Sequence, residues 1–365
     1  MYWEKIGIIR TLKDEMGGCV IGPYGFVVKE ILLPHRVCPQ PLESAGGGDY
    51  TLGVLAKWGT DTITATYELS RSIGKSVSYA GLKDALAITS QYVAVNGQVD
   101  KKTVGERWGF LPIGRVSKPL DHDFLWGNHF NAVISSYTKL SLLDLFLSDY
   151  LFPNFFGPQR FGNSPPYTHE IGISILRGEE PDEIKEQKPQ LRRKITDLAV
   201  QALQSYLFNL ILKDRLERGV ALDALEKGDL VAPLNVFGLP AYSQLRISEG
   251  GSLKKNQALI LPVPGSRVKG LGLDLAKKIS KELSVSIPGW VNGWYREAAM
   301  KPRNQSYAIN KKGIILTFEL HKAQYASVLL HELIGGNSSV PKARAFSYPW
   351  ETSLLPLYYL FRLRP

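Results

Sequence analysis

The chain has 365 residues, of which 44% are apolar and 21% charged, and its 44 Lys plus Arg outnumber 34 Asp plus Glu for a net charge of +10. That balance excludes a disordered or fibrous chain and predicts order throughout, in one large domain or two moderate ones; the positive excess admits RNA, DNA or an anionic surface as partner without choosing among them. Cys19 and Cys38 are too few for a four-cysteine metal site or a disulfide framework, the N-terminus lacks a basic start followed by an apolar run, and no stretch is expected to span a bilayer, so the expectation is a cytoplasmic protein with no membrane contact.

Along the chain, Gly25-Phe26-Val27-Val28-Lys29-Glu30-Ile31-Leu32-Leu33 reads as strand. Residues 39–49 form a Pro/Ser/Gly-rich loop whose Gly46-Gly47-Gly48 lacks the following helix and lysine of a phosphate cradle. Thr60 or Asp61 caps a helix that runs to about Ile73 and is closed by Gly74. Gly74-Lys75-Ser76 resembles the end of a P-loop, but the earlier glycine would fall at Leu69, and Gly270-Leu271-Gly272 lacks the third glycine of a dinucleotide fingerprint. Both nucleotide-binding motifs fail. The charge-dense stretch 177–190, with Pro181 and Pro189, reads as an exposed connection. Ile195, Leu198, Ala199, Ala202, Tyr206 and Leu210 then recur at helical spacing, in a helix that ends by Gly219. A further helix is predicted over Leu273–Leu283 and a strand over Gly313–Leu320, ahead of a proline-punctuated, aromatic tail from Val340.

Chemistry enters at Tyr79-Ala80-Gly81-Leu82-Lys83-Asp84, where a carboxylate follows a strand and a glycine turn. Strand ends often present catalytic groups, yet an aspartate there also suits the cap of the next element, and position alone favours the cap. His321, His331 and Glu332 lack the His-x-x-x-His spacing of a helical metal pair, and no metal is expected.

A set of blocks decides for catalysis. Gly81, Lys83, Asp84, Ala87, Thr89 and Gln91 together resemble the Gly-x-Lys-Asp-x-x-Ala-x-Thr-x-Gln signature of the TruD family of tRNA pseudouridine synthases. In family order stand Phe26 to Ile31, Gly127-Asn128-His129-Phe130, Pro153-Asn154-Phe155-Phe156-Gly157-Pro158-Gln159-Arg160-Phe161-Gly162, Gln204 to Asn209, and finally Phe318-Glu319-Leu320, Gln324 to Ser327 and His331-Glu332-Leu333. Each is similar to a family element, and together they cover residues 24 to 333.

The resemblance implies an α+β fold, a mixed and largely antiparallel pseudouridine-synthase-like sheet with helices. A TruD-type α/β insertion domain at about 154–303 would interrupt a catalytic domain made of 1–153 and 304–365. It implies isomerisation of a tRNA uridine, uridine 13 of the D arm being the first choice and other structured RNAs the alternative substrates, with Asp84 as nucleophile or base and with no cofactor. Phe130 and Tyr325 are candidates to stack on the unstacked base, Asn128 to bond the uracil edge, and Phe26 to floor the pocket. Lys83, Gln159, Arg160 and Arg296 complete the expected substrate-binding set, Arg160 either bracing the active-site loop or meeting phosphate. The family usually carries a lysine six residues before the first-block phenylalanine, paired with the aspartate; here that position is Val20. Ala85 stands where a basic residue is common, and Pro23-Tyr24-Gly25 replaces Pro-Glu-Asp. Another cation, with Lys29 and Arg296 the first guesses, is expected to serve Asp84; the alternative is a catalytically weakened RNA-binding protein or RNA chaperone. Oligomeric state is not legible.

Overall fold

The computed structural model describes residues 2–22, 25–37, 39–42, 48–83, 85, 87–311 and 313–336. Asp84, the glycines 46 and 47, Pro23 and Tyr24, Cys38 and the tail from Val340 lie outside the described residues. The chain divides into two compact units, one of residues 16–143 with 302–323, the other of 2–15 with 144–301 and 324–336.

The first unit is built on a ten-stranded sheet. Its strands are β1 (Cys19–Val20), β2 (Phe26–Leu32), β3 (Tyr50–Lys57), β4 (Val77–Tyr79), β5 (Ile88–Asn96), β6 (Thr103–Val104), β7 (Trp108–Val116), β8 (Leu125–Ser135), β9 (Arg303–Asn310) and β10 (Gly313–His321). The order is β9-β10-β8-β2-β5-β3-β7-β6, with β1 beside β8 and β4 beside β5. β2 and β5 run parallel and every other pairing is antiparallel, which is the mixed, largely antiparallel sheet the resemblance implied. Helix α1 (Thr62–Ile73) is fixed by local signals at both ends. Asp61 accepts the Thr64 amide at 2.9 Å, and Gly74 closes the helix in the left-handed region at φ 66°. The buried residues Ala65 and Leu69 of α1 join Leu55, Val93, Val95, Trp108 and Phe110 of the sheet in one apolar cluster, and each large side chain so buried contributes about 1.5–3 kcal/mol. β8 and β10 lie so close at Gly127 that a Cβ there would sit 2.0 Å from the Leu320 carbonyl oxygen. The glycine of the Gly-Asn-x-Phe block is therefore a packing requirement.

The second unit is organised by a 29-residue helix, Pro189–Glu217. It begins six residues before the predicted apolar period because Pro189 occupies the first turn, where its missing N–H costs nothing. The stretch expected as an open connection holds a short helix, Asp182–Lys185. Four antiparallel strands, in the order 246–252, 224–233, 257–263 and 294–297, form this unit's larger sheet, and 152–153 pairs with 299–300. Helices Thr168–Leu176, Leu273–Glu282 and Ala326–Ile334 complete it. By length and composition the long helix is apolar enough to cross a bilayer, contrary to the expectation that no stretch is. Its buried face, however, carries Gln204, Asn209 and Arg215. All three bond protein partners, as when Arg215 meets Asp229 at 2.9 Å, which marks it as the unit's core helix.

Candidate active site

Strand register brings the motif residues of the first unit onto one face. Side chains directly paired across a sheet share a face, and those two apart along a strand do likewise. Phe318 pairs with Phe130, Phe130 with Val28, Val28 with Thr89, Thr89 with Lys57 and Lys57 with Trp108. These six side chains therefore form a lateral row across β10, β8, β2, β5, β3 and β7. In the neighbouring rows on this face stand Leu320, Asn128 and Glu30, paired in that order, and Phe26. Phe130 is stacked between Phe26, at 6.0 Å between centroids, and Phe318, at 5.2 Å. The Asn128 Oδ1 is buried and has no hydrogen-bond partner among the described residues. Lys29, by strand alternation, belongs to the opposite face, which sets it apart from Phe26, Asn128 and Phe130.

Residues 81–83, the run leading into Asp84, are cross-braced by buried side chains of this face. Lys83 places Nζ 2.6 Å from Glu30 Oε1, and the second oxygen of Glu30 accepts the Tyr92 amide at 2.9 Å. Burial pushes the Glu30 carboxyl above the usual carboxylate range while Lys83 pulls it back. Lys83 had been expected to meet substrate; its ammonium is instead engaged by Glu30, with only 4% of the side chain exposed. The Lys83 amide donates to Thr62 Oγ1 at 2.8 Å, the Thr62 hydroxyl donates to Gln91 Oε1 at 2.8 Å, and Gln91 Nε2 donates to the Gly81 carbonyl at 3.2 Å. Lys57 Nζ donates to the carbonyls of Thr60, at 2.9 Å, and Lys83, at 3.2 Å. A Cβ at Gly81 would fall 3.1 Å from Lys83 Nζ and from a Leu125 methyl, so a larger residue would crowd the ion pair.

The other expected residues lie in the second unit, where the run 153–162 is held by two clamps. Asn209 accepts the Phe156 amide at 2.8 Å and donates to the carbonyls of Ile6 and Phe156 at 2.8 and 3.1 Å. Arg296 is buried. It donates from Nε to the Asn154 carbonyl at 3.1 Å, and from Nη2 to Asn154 Oδ1 at 2.8 Å and the Phe155 carbonyl at 3.2 Å. Its guanidinium lies 3.9 Å from the Phe156 ring centroid and 5.6 Å from that of Tyr325. Burial lowers its pKa to about 10, so it stays charged at neutral pH. Arg160 donates to Ser205 Oγ at 3.0 Å and Gln201 Oε1 at 3.1 Å, as a brace would. Gln159 is exposed, and Tyr325 packs against Gly157, where a Cβ would be 2.9 Å from its ring. His331 stacks on Trp3 at 4.0 Å, with burial lowering its pKa to about 4, while Glu332 accepts from the Thr11 amide and hydroxyl; both serve packing within this unit. Sequence reasoning missed Lys57, Thr62 and the clamping role of Asn209. Only Asn209 stood inside a recognised block.

The model of tRNA pseudouridine synthase D (TruD) matches residues 17–186 and 179–333. A probable tRNA pseudouridine synthase D of Pyrobaculum neutrophilum is 26% identical over 91% of this chain and 96% of its own length. One of Pyrobaculum arsenaticum is 28% identical over 86% of this chain and 90% of its own. A solved structure of a TruD chain from Methanosarcina mazei superposes with a TM-score of 0.65 at 24% identity, covering 92% of this chain and 98% of that one. At that identity the likeness carries the fold alone.

Proposed function

Because this chain belongs to the tRNA pseudouridine synthase D (TruD) family, a family of isomerases, we propose that it converts a uridine of tRNA to pseudouridine, uridine 13 of the D arm first, with Asp84 as its catalytic carboxylate. The ribose C1′–N1 bond breaks, the base turns, and C1′ joins C5; C5 then gives up its proton while N1 ends protonated, so the product is an isomer. The chemistry needs one well-placed carboxylate, either adding to sugar or base or removing a ribose proton.

The observation that carries this reading is the shared sheet face. Phe26, Phe130 and Asn128, whose Oδ1 has no hydrogen-bond partner among the described residues, share the sheet face whose Glu30, Gln91 and Lys57 brace residues 81–83, the run before Asp84. A uridine drawn from the RNA stack needs an apolar wall and a hydrogen-bond partner for its edge. The phenylalanine stack offers the first, and Asn128 Oδ1 offers an acceptor for the uracil N3–H. Gln159 and Tyr325 remain proposed substrate contacts. Arg160 and Arg296 act by fixing residues 153–162, and 154–303 is proposed as the inserted domain. A cytoplasmic site of action and the chain's +10 charge suit a tRNA substrate.

Tritium release from tRNA labelled at uridine C5 tests the reading. Asp84→Asn keeps the shape of the side chain and loses its base and nucleophile, so turnover is expected to fall by about 10²–10⁴-fold with tRNA affinity within a few-fold of the parent. Near-parental turnover by Asp84→Asn would sink the assignment. Wild-type protein that binds tRNA and releases no tritium would pass the field to the RNA-binding reading.

A further inference from the structure

We infer that Trp290 and Arg267, both in the second unit, form a stacking site for an unpaired base of the RNA other than the reacting uridine. The inference rests on the RNA partner proposed above and not on which carboxylate is catalytic. Trp290 is 68% exposed, whereas the other described tryptophans are buried or half-buried. An indole left in water forgoes the burial that makes so large a side chain useful to a fold, yet this one is not on a loose loop. The Val291 amide donates to the Pro288 carbonyl at 2.9 Å, closing a tight turn over Gly289 and Trp290, and Val291 is itself buried. Ser266 ties this turn to the loop before residue 270. Its amide donates to the Val291 carbonyl at 2.8 Å, its carbonyl accepts the Gly293 amide at 2.8 Å, and its hydroxyl lies 3.1 Å from Asn292 Oδ1. From the long helix, Gln204 Nε2 donates to the carbonyls of Pro264 at 2.6 Å and Asn292 at 3.0 Å. Both loops are thereby fixed to the core helix, and the open indole is presented rigidly.

Arg267 follows Ser266 and Trp290 precedes Val291, so the two residues adjoin the hydrogen bond that joins the loops. Arg267 is exposed and holds φ at 65°, a left-handed conformation that is costly for a residue with a Cβ and free for glycine. A strained arginine beside an open indole points to a use for its side chain. Charge identifies the partner. Between Glu249 and Asp274 stand Lys254, Lys255, Arg267 and Lys269 with no carboxylate among them, and residues 283–296 contain none either. A polyanion with flat faces to offer suits that combination, its base stacking on the indole and its phosphate meeting the guanidinium. The base must be unpaired, because a base inside a duplex has both faces covered by its neighbours. An apolar protein surface would cover the indole but leave the basic run without an anion.

The test compares the affinities of the full-length wild type, Trp290→Ala, Trp290→Phe and Arg267→Gly for a tRNA transcript, for single-stranded oligoadenylate and for a blunt RNA duplex. Oligoadenylate has no uridine to enter the catalytic site. Trp290→Ala is expected to bind tRNA and oligoadenylate about 10-fold or more weakly, with Trp290→Phe within about 3-fold of wild type and the duplex bound equally by all three. Arg267→Gly is expected to flatten the salt dependence of oligoadenylate binding by about 0.7 in log K against log salt, the share of one phosphate on a single strand. A Trp290→Ala variant with the wild-type urea midpoint and wild-type affinity for tRNA and oligoadenylate overturns the inference. So does an equal loss on the duplex, which would mark a contact to the RNA backbone, and so does a wild type that does not bind oligoadenylate. Should Trp290→Ala not fold, the Arg267→Gly slope decides, and an unchanged slope overturns the inference. Tritium release is read separately: its absence in a wild type that binds RNA removes the enzyme reading alone, and its presence beside undiminished Trp290→Ala binding removes this inference alone.

Discussion

Lys83→Met would strip a buried carboxylate of its partner. Glu30 has no exposed side-chain surface, and the Lys83 ammonium is 2.6 Å away. Removing one member of such a pair leaves a charge in a medium that solvates it poorly, which costs about 3–5 kcal/mol at neutral pH. Methionine fills nearly the same volume, so cavity formation contributes little and the electrostatic loss dominates. The deficit should depend on pH with a definite sign. Burial already raises the Glu30 pKa against the pull of Lys83, and losing that pull raises it further. A carboxyl whose folded pKa lies above its unfolded value holds its proton more tightly when folded. Its contribution to stability is present below the unfolded pKa and is lost as pH rises through the folded one. The variant should therefore recover part of its deficit as pH falls from 7 toward 5, while Glu30 becomes neutral and still accepts the Tyr92 amide. The double variant Glu30→Gln/Lys83→Met removes both charges and should be more stable than Lys83→Met alone. Urea unfolding at pH 7, 6 and 5 measures all of this. A Lys83→Met cost below about 1 kcal/mol at pH 7, the value of an exposed pair, or a deficit that does not shrink in acid, would refute the reasoning.

Two further substitutions separate substrate contact from scaffold. Asn128→Ala removes an acceptor that has no partner among the described residues, so stability should change by less than about 1 kcal/mol while kcat/KM in the tritium assay falls by about 10–100-fold, the worth of a buried hydrogen bond left unmade. Asn209→Ala should cost at least about 3 kcal/mol in denaturant unfolding, because it orphans the Phe156 amide and carbonyl and the Ile6 carbonyl together.

What the sequence disclosed divides along the line between local and long-range physics. The helix from Thr62 to Ile73 was legible because Asp61 and Gly74 act within a turn of it. The strand at 26–32 and the one at 313–321 carry their own apolar runs and glycine punctuation. The start of the long helix at Pro189 was missed because the first turn is polar and its proline reads as a breaker, although at that position it is a helix initiator. Nothing local tells residues 2–15 to join a unit with 144–301. That association depends on contacts such as Asn209 to the Ile6 carbonyl, made across 203 residues.

The candidate site follows the same rule more sharply. Its blocks could be quoted from the sequence, but which of their members touch substrate and which hold other members depends on register. Lys83 sits beside Asp84 in sequence and looked like a substrate contact; parallel pairing of β2 with β5 brings Glu30 to it instead. Lys57 belongs to none of the recognised blocks, and only the antiparallel pairing of β3 with β5 carries it to Thr89 and to the Lys83 carbonyl. Two buried lysines thus converge on one short peptide run, one closing an ion pair and the other gripping the backbone. Burying two ammonium groups is a heavy expense for a fold to bear for stability alone, since apolar residues of like volume would commonly do as well. On the proposed role of Asp84 they are accounted for by what the run carries, because a catalytic carboxylate gains most when its surroundings are already oriented before the substrate arrives.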